Sequence, residues 1–252
     1  MRRVTDSTDE PPMPAARLTL STLCTLAALA GPAATFAAEA PLPPALDDRS
    51  FDVFIDDWEV GTHRFTFEGE PASFTLRSEA SMRLKIAFVT MFRYEHEATE
   101  RWEDGCLASV ESTTEAKQDN AVTGRAEGGA FVVETALGAD RYEDACTWGF
   151  AYWNPAMTTR ATLVNPQDGQ RFETTFEALE DGPLDIGDRT VRAKRTKLRG
   201  VPAGDVGLED VKPVAITLYS DDAGRWIGLD AEVEGDRLLR YRPSEDDPYR
   251  AR

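Results

Sequence analysis

Apolar and polar side chains alternate without a break over residues 74–88, so that every second residue lies on the same face of the chain. This period of two is that of a β-strand. The alternation resumes after a short link at residues 89–91 and predicts a second strand that continues to residue 103. Two such strands in succession predict an antiparallel hairpin. Its inward side chains would be Phe74, Leu76, Ser78, Ala80, Met82, Leu84, Ile86 and Phe88, and then Phe92, Tyr94, His96, Ala98 and Trp102.

The length of these strands and the turns after them indicate the fold class. A fifteen-residue strand would run roughly 50 Å if straight, so it must coil strongly or contain a bulge. Shorter alternations follow, bounded by turn sequences such as Asp104-Gly105 and Asp181-Gly182. We therefore predict a mainly β protein, an antiparallel meander that forms a strongly curved sheet or incomplete β-barrel. Within residues 148–160, Asn154-Pro155 is typical of a helix start and predicts one short helical or loop plug.

The first 38 residues have the features of a secretory signal peptide. Three arginines precede an uncharged apolar run at residues 18–30, and small residues follow it. The run is too short to cross a bilayer, and the preferred cleavage site is after Ala37 or Ala38. We predict a signal peptide at 1–38, an extended linker at 39–49, a single antiparallel β-domain at 50–243 and a charged tail at 244–252. The expected location is the periplasm.

The net charge limits the classes of partner. The chain carries a formal charge of −17, and the leader contributes none of it because three Arg balance two Asp and one Glu there. A surface this acidic repels phosphate backbones, which makes nucleic acid an unfavourable partner. The basic cluster at residues 192–199 alternates between both faces of a predicted strand and forms no single patch. No segment after the leader has the length and apolar character of a transmembrane helix.

Two cysteines, Cys106 and Cys146, remain once the leader with Cys24 is removed. An even number of cysteines in an oxidising compartment favours a disulfide. Both residues follow turns, so they could lie at one end of the sheet. A pair of reduced buried thiols and a redox-active pair stay open as alternatives, although no Cys-x-x-Cys spacing supports the latter.

Several strings along the chain carry a family resemblance. They are Val60-Gly61 with Arg64-Phe65, Tyr94-Glu95-His96 with Glu100-Arg101-Trp102, Asp104-Gly105-Cys106-Leu107, the aromatic string from Phe150 to Pro155, and Tyr219-Ser220-Asp221 with Gly224-Arg225-Trp226. Together they resemble an uncharacterised family of exported Gram-negative β proteins of unknown function. The resemblance spans nearly the whole mature chain. It implies a single exported β-domain and no catalytic residue, and open-barrel lipoprotein carriers are similar only in general architecture.

Few reactive groups converge in the sequence. The two histidines, His63 and His96, fall on apolar strand faces, where an inward imidazole could act as a general base. Glu100 shares the face of His96, but four residues along a strand separate them by about 13 Å, so the spacing gives no dyad. Zinc, nucleophile, phosphate-loop and dinucleotide motifs are absent, and no metal or cofactor is predicted. The pairs Asp221-Asp222 and Asp246-Asp247 are expected to be solvated acidic turns rather than calcium ligands.

The aromatic string at residues 150–153 allows two interpretations: a plug that belongs to the core, or the lip of a pocket for an apolar ligand. The favoured function is non-catalytic binding of an apolar or amphiphilic envelope molecule, or of a partner protein, on the concave face. One alternative is a hydrolytic enzyme that uses His96 with carboxylates, and another is an envelope assembly or structural factor with a solid core. The candidate ligand-binding residues are Tyr94, His96, Trp102, Phe150, Tyr152 and Trp153.

Overall fold

Fourteen β-strands make up most of the part of the chain that the computed structural model describes, which is residues 46–86, 89–117, 119–203, 211–233 and 235–250. The first eight strands are β1 (Arg49–Ile55), β2 (Trp58–Glu70), β3 (Ser73–Ile86), β4 (Val89–Glu103), β5 (Cys106–Glu115), β6 (Asn120–Glu127), β7 (Ala130–Thr135) and β8 (Gly138–Tyr142). A connection with one 3-10 helix, Pro155–Thr159, leads to the others. These are β9 (Thr162–Val164), β10 (Arg171–Ile186), β11 (Arg189–Pro202), β12 (Val214–Ser220), β13 (Trp226–Val233) and β14 (Arg237–Pro243).

All fourteen described strands belong to one sheet, in the order β8-β7-β6-β5-β4-β3-β2-β1-β14-β13-β12-β11-β10-β9. Strands that pair are also neighbours in the chain, except that β1 pairs with β14. The sheet therefore consists of two meandering arms, β1–β8 and β9–β14, joined at the β1–β14 pairing, which we call the seam. The edge strands β8 and β9 are not paired with each other, so the sheet is curved but not closed. This arrangement confirms the predicted fold class.

The long hairpin predicted from the alternation is present as β3 and β4. Its register places Phe74 opposite Trp102 and Ala80 opposite His96. The pairing shifts between Leu84 and Lys85, which is the irregularity expected in a strand of this length. The predicted link at residues 89–91 was wrong, because β4 already begins at residue 89 and continues the ladder there.

The predicted plug closes one end of the curved sheet. Its helix is capped by Asn154, whose side-chain oxygen accepts a hydrogen bond from the Ala156 N–H at 3.0 Å. Just before it, residues 147–149 bridge the two arms: the Leu107 N–H of β5 donates to the Thr147 carbonyl at 2.9 Å, and the Val164 N–H of β9 donates to the Trp148 carbonyl at 2.8 Å. We call residues 147–149 the strap and residues 150–159 the plug.

A disulfide joins Cys106, at the start of β5, to Cys146, directly before the strap. Of the alternatives that the sequence left open, the disulfide is therefore the one that the structure contains. The disulfide fixes the beginning of the strap to the first arm. The next residue of each segment is also bonded, because the Leu107 N–H donates to the Thr147 carbonyl.

Aromatic rings from the sheet, strap and plug pack together at the closed end. The ring of Trp102 lies 5.3 Å from those of both Trp148 and Trp153, and Phe74 lies 5.4 Å from Trp153, measured between centroids. Trp102 is only 1% exposed. Full burial of one large apolar side chain is worth about 1.5–3 kcal/mol, so this cluster is a major stabilising part of the core.

A smaller apolar cluster lies apart from the main core. The pairing of β10 with β11 shifts between Leu179 and Gly182. Beyond this shift, Leu184 and Ile186 of β10 and Ala193 of β11 pack with Tyr219 and Ile227. The far ends of these two long strands therefore cover apolar side chains of β12 and β13 that the main core does not bury.

The predicted segments at the two ends of the domain are only partly within the described residues. The predicted signal peptide, 1–38, and the linker residues 39–45 lie outside them. Arg49, which we had assigned to the linker, is part of β1. The described residues belong to one compact unit, Pro41–Arg252.

Two acidic pairs, Asp221-Asp222 and Asp246-Asp247, were expected to be solvated. This prediction was wrong for one residue of each pair. Asp247, in the predicted charged tail, is fully buried and accepts hydrogen bonds from Arg49 Nε at 2.9 Å and the Ser50 N–H at 2.8 Å. Asp221 is 9% exposed and pairs with Arg225. A carboxylate can be buried when a charged partner and N–H donors compensate for its lost hydration. The Arg49–Asp247 ion pair thus attaches the C-terminal residues to the seam.

Candidate functional site

A partly enclosed pocket of about 600 Å³, which we call the cavity, lies against the inner face of β12, β13 and β14. The register of these strands aligns Ile216, Ala231 and Leu239 in one row across the sheet. Cavities of about 300–1,000 Å³ are typical of small-molecule sites. The apolar side chains that line the cavity are Phe150, Val214, Ile216, Leu229, Ala231, Val233 and Leu239.

The two ends of the cavity differ. Phe150 and Tyr152 of the plug bound it on one side. Lys212, before β12, and Gly235 and Asp236, in the turn between β13 and β14, also line it and are exposed to solvent. The cavity is therefore bounded by aromatic rings at the plugged side and opens among polar residues at the other.

Three hydrogen-bonded side chains, Ser78, His63 and Tyr241, connect the cavity to the first arm. His63 Nε2 lies 2.7 Å from Ser78 Oγ, and His63 Nδ1 lies 3.1 Å from the Tyr241 hydroxyl. We call these three side chains the relay. His63 and Tyr241 line the cavity. Ser78 lies on β3, His63 on β2 and Tyr241 on β14. These strands come close together because the seam pairs β14 with β1, and β1 also pairs with β2, which forms a hairpin with β3.

The second histidine lies in the same row of the sheet, on the other side of Ala80. His96 Nδ1 lies 2.9 Å from Thr114 Oγ1, and the Thr114 hydroxyl donates to the Gln167 carbonyl at 3.1 Å. Burial, with a smaller contribution from His96, lowers the pKa of His63 to about 3, and burial lowers the pKa of His96 to about 4. Both imidazoles are therefore neutral near neutral pH.

Tyrosine hydroxyls form a second polar feature of the interior. The Tyr94 hydroxyl is buried and has no hydrogen-bond partner among the described residues. The pKa values of Tyr94, Tyr152 and Tyr241 are raised, mainly because the hydroxyl groups are buried. Neighbouring phenols add a smaller electrostatic contribution to the raised pKa of Tyr94 and of Tyr241. All three remain protonated at physiological pH and can act as hydrogen-bond donors.

The loop at residues 165–170 forms another part of the cavity wall, through Asn165 and Gln167. It is attached to the first arm by hydroxyl groups: Ser112 donates to the Pro166 carbonyl, and Tyr142 donates to the Gly169 carbonyl at 2.9 Å. Burial raises the pKa of Asp168 in this loop to about 6. These contacts hold the loop against the inner face of β5 and β8.

Glu100 is a buried carboxyl group at the plugged end. Its Oε2 accepts a hydrogen bond from Trp102 Nε1 at 2.8 Å. Burial raises its pKa to about 7, and the hydrogen bond from Trp102 only partly opposes this effect. Glu100 does not line the cavity, so it belongs to the core at the closed end.

The structure divides the predicted ligand-binding residues into two groups. Phe150 and Tyr152 line the cavity. Tyr94 and His96 belong to the polar interior next to it, whereas Trp102 and Trp153 are buried in the aromatic cluster at the plugged end. The histidine that lines the cavity is His63, not His96.

The cavity wall formed by β12–β14, with Tyr241, is not evident from the sequence, and neither is the hydrogen bond of Ser78 to His63. The alternation of apolar and polar residues at 214–218, 229–233 and 239–241 is typical of strands with one apolar face. It could not indicate that part of this face is left uncovered, because that depends on where the plug and the loop at residues 165–170 lie. The relay depends on the seam, which joins distant parts of the chain.

A larger depression of about 800 Å³ lies over β1, β2 and β14 and is lined mainly by charged and polar side chains. Several of these charges are already paired, as in Arg64–Asp246 at 2.8 Å and Arg240–Asp57 at 2.9 Å. We prefer the cavity at β12–β14 as the candidate site because its apolar wall and convergent hydroxyl groups are typical of binding sites. Within the described residues, no group of three His, Cys, Asp or Glu side chains is placed to hold a metal ion, and no helix is long and apolar enough to cross a membrane.

The fold is that of an antiparallel, β-barrel-like protein whose sheet is not closed. Residues 51–244 match the family described as domain of unknown function DUF6134, and the chain belongs to this family. A solved structure, the β-barrel-like protein of domain of unknown function DUF1849 from Brucella abortus, is similar in fold. It has a TM-score of 0.55 and 12% sequence identity, and the match covers 78% of this chain and 94% of that one. No curated protein gives a significant match.

Proposed function

We propose that this protein binds an apolar or amphiphilic molecule of the cell envelope in the cavity at β12–β14. The observation that carries the proposal is the cavity of about 600 Å³ against the apolar face of β12–β14. Partly enclosed pockets of this size, with an apolar wall and a few convergent polar groups, are typical of small-molecule sites. Transfer of apolar ligand surface from water into the cavity provides the driving force.

The proposed location is the periplasm of a Gram-negative cell. Two observations support it: the leader-like sequence at residues 1–38, and the disulfide between Cys106 and Cys146, since disulfides persist in oxidising compartments. A binding protein in that compartment would shield an apolar molecule from water.

The test is uptake of an environment-sensitive apolar fluorophore, 1-N-phenylnaphthylamine, by the purified protein without its leader. Ala231→Phe places a larger side chain in the cavity wall and should abolish most of the uptake. Val201→Phe, at an outer position that is 57% exposed, is the matched control and should bind the probe like the wild type. Uptake that is absent in the wild type, or unchanged in Ala231→Phe, would overturn the proposal and favour a solid-core assembly factor. Native mass spectrometry of protein purified from its own envelope would then identify the natural ligand.

Hydrolysis is a second candidate function, because the relay brings a serine hydroxyl within 2.7 Å of an imidazole that a third group orients. Two features make it less favourable. Ser78 lies in the middle of β3 and pairs with both β2 and β4, so the surrounding N–H groups belong to the sheet and cannot bind an oxyanion. The lowered pKa of His63 also makes it a weak base. Turnover of p-nitrophenyl esters that is lost in Ser78→Ala and retained in Ser81→Ala would support hydrolysis.

A further inference from the structure

The relay has one more donor proton than it uses internally. Ser78, Tyr241 and a neutral His63 each carry one polar hydrogen, whereas two hydrogen bonds join the three side chains. If the imidazole proton is on Nδ1, it points to Tyr241, Ser78 donates to Nε2, and the Tyr241 hydroxyl proton is left over. In the other tautomer the proton left over is that of Ser78. Tyr241 lines the cavity, so an acceptor placed there would favour the first arrangement.

The other phenols strengthen the donor character of this region. Tyr152 also lines the cavity, and the buried Tyr94 hydroxyl has no partner among the described residues. The carboxyl group of Asp168 is close enough to contribute to the raised pKa of Tyr94. Among the described residues, the lining of the cavity itself contains two carboxylates, Glu232 and Asp236, against one cation, Lys212. This excess of negative charge disfavours an anionic ligand, so the hydroxyl groups suit a neutral acceptor oxygen better than an anion.

The volume of the cavity limits the apolar part of the ligand. A methylene group occupies about 30 Å³, similar to the share of one water molecule in the liquid. A cavity of about 600 Å³ therefore has room for roughly 20 methylene groups, which is one acyl chain. A lipid with two acyl chains would need roughly twice that volume. The apolar row on β12–β14 provides one continuous surface for such a chain.

We propose that the cavity binds a neutral single-chain amphiphile, with its carbonyl oxygen accepting a hydrogen bond from Tyr241 and its chain lying along β12–β14. This inference rests on the proposed binding function and adds the ligand class to it. Two sources share the required chemistry, a single-chain fatty ester and a quinone with one apolar tail. Both carry an uncharged carbonyl oxygen at one end of an apolar chain.

The experiment compares ligands with apolar chains of similar length by displacement of 1-N-phenylnaphthylamine. Methyl dodecanoate should bind about fivefold to tenfold more tightly than dodecane, which corresponds to one net hydrogen bond. Dodecanoate should bind more weakly than the ester. Decylubiquinone is included as the quinone, and the tighter of the two carbonyl ligands identifies the source. A wild-type protein that binds dodecane as tightly as the ester, or dodecanoate more tightly, would overturn this inference while leaving the proposed function in place.

Tyr241→Phe is the variant that tests the hydrogen bond. It should weaken the carbonyl ligands about fivefold to tenfold and leave dodecane within about twofold. Tyr219→Phe is the matched control, because the Tyr219 hydroxyl belongs to the smaller cluster and donates to Asp230 at 2.8 Å. This variant should bind the carbonyl ligands and dodecane with the same affinity as the wild type. Equal loss of dodecane and ester in Tyr241→Phe would contradict the hydrogen bond. If the variant does not fold, the comparison of ligands on the wild type still decides the question. Failure of every ligand to bind would instead reject the proposed function itself.

Discussion

Glu100 is the buried group whose ionisation has the clearest consequence for stability. Burial raises its pKa from 4.5 to about 7, so the unfolded chain loses this proton at lower pH than the folded protein does. The contribution of Glu100 to stability is therefore present in full below about pH 4.5 and is lost as the pH rises through about 7. We expect the free energy of unfolding of the wild type, relative to Glu100→Gln, to fall by on the order of 2–3 kcal/mol between about pH 5 and pH 8.

Urea unfolding of both proteins at the two pH values measures this difference. The comparison cancels the contributions of His63 and His96, whose lowered pKa values act in the opposite direction, since their stabilisation is lost as the pH falls. The amide side chain introduced by Glu100→Gln keeps an oxygen that can accept from Trp102, so the variant changes the charge and little else. A difference that does not depend on pH would mean that Glu100 is hydrated in the folded protein.

Trp102 and Trp58 provide a matched pair for testing the core at the plugged end. Trp102 is 1% exposed and lies among aromatic rings, whereas Trp58 at the start of β2 is 62% exposed. Trp102→Ala should lower the free energy of unfolding by about 3–5 kcal/mol. Trp58→Ala should change it by less than about 0.5 kcal/mol, as most surface substitutions do. Urea unfolding midpoints will check this, and similar midpoints for the two variants would mean that the closed end is loosely packed.

At the scale of elements, the strap depends on the disulfide beside it. The bond between Cys106 and Cys146 closes a loop with a sequence separation of 40 residues, which in the chain-entropy model is worth about 4 kcal/mol. The double variant Cys106→Ser/Cys146→Ser should lose stability of this order in chemical unfolding. Intact mass after alkylation provides the direct check on protein that begins after residue 38 and therefore lacks Cys24. We expect no label without reductant and two labels after reduction in denaturant, so labelling of the native protein would contradict the bond.

The sequence was informative about elements wherever the relevant information is local. Strand periodicity is a local property, so the alternation at residues 74–103 predicted β3 and β4, and Asn154-Pro155 predicted the capped helix of the plug. The candidate site was only partly predictable. Phe150 and Tyr152 were identified from one string, but His63 meets Tyr241 across a sequence separation of 178 residues. That meeting depends on the β1–β14 pairing, which no local pattern specifies.

For the whole molecule, electrostatic repulsion is the dominant consequence of the net charge of −17. Exposed ion pairs such as Arg93–Glu115, at 3.1 Å, contribute little each and are weakened by salt. Screening of the overall repulsion should outweigh this loss, so the melting temperature should rise by a few degrees between low and physiological ionic strength. Differential scanning fluorimetry in NaCl and in KCl measures the effect and controls for specific ion binding. A fall in melting temperature would indicate that local ion pairs dominate.

The seam between β1 and β14 determines the order in which this molecule can assemble. All other pairings among the described strands join neighbours in the chain, so each arm can form from short-range contacts at little cost in loop entropy. The seam, with its buried Arg49–Asp247 pair across a sequence separation of 198 residues, must wait for nearly the entire chain. Because β14 supplies Leu239 and Tyr241 to the cavity wall, the chain completes its cavity only when its last strand has joined the sheet. Chains that end before β14 would therefore possess most of the sheet but lack the part of the cavity wall that Leu239 and Tyr241 form.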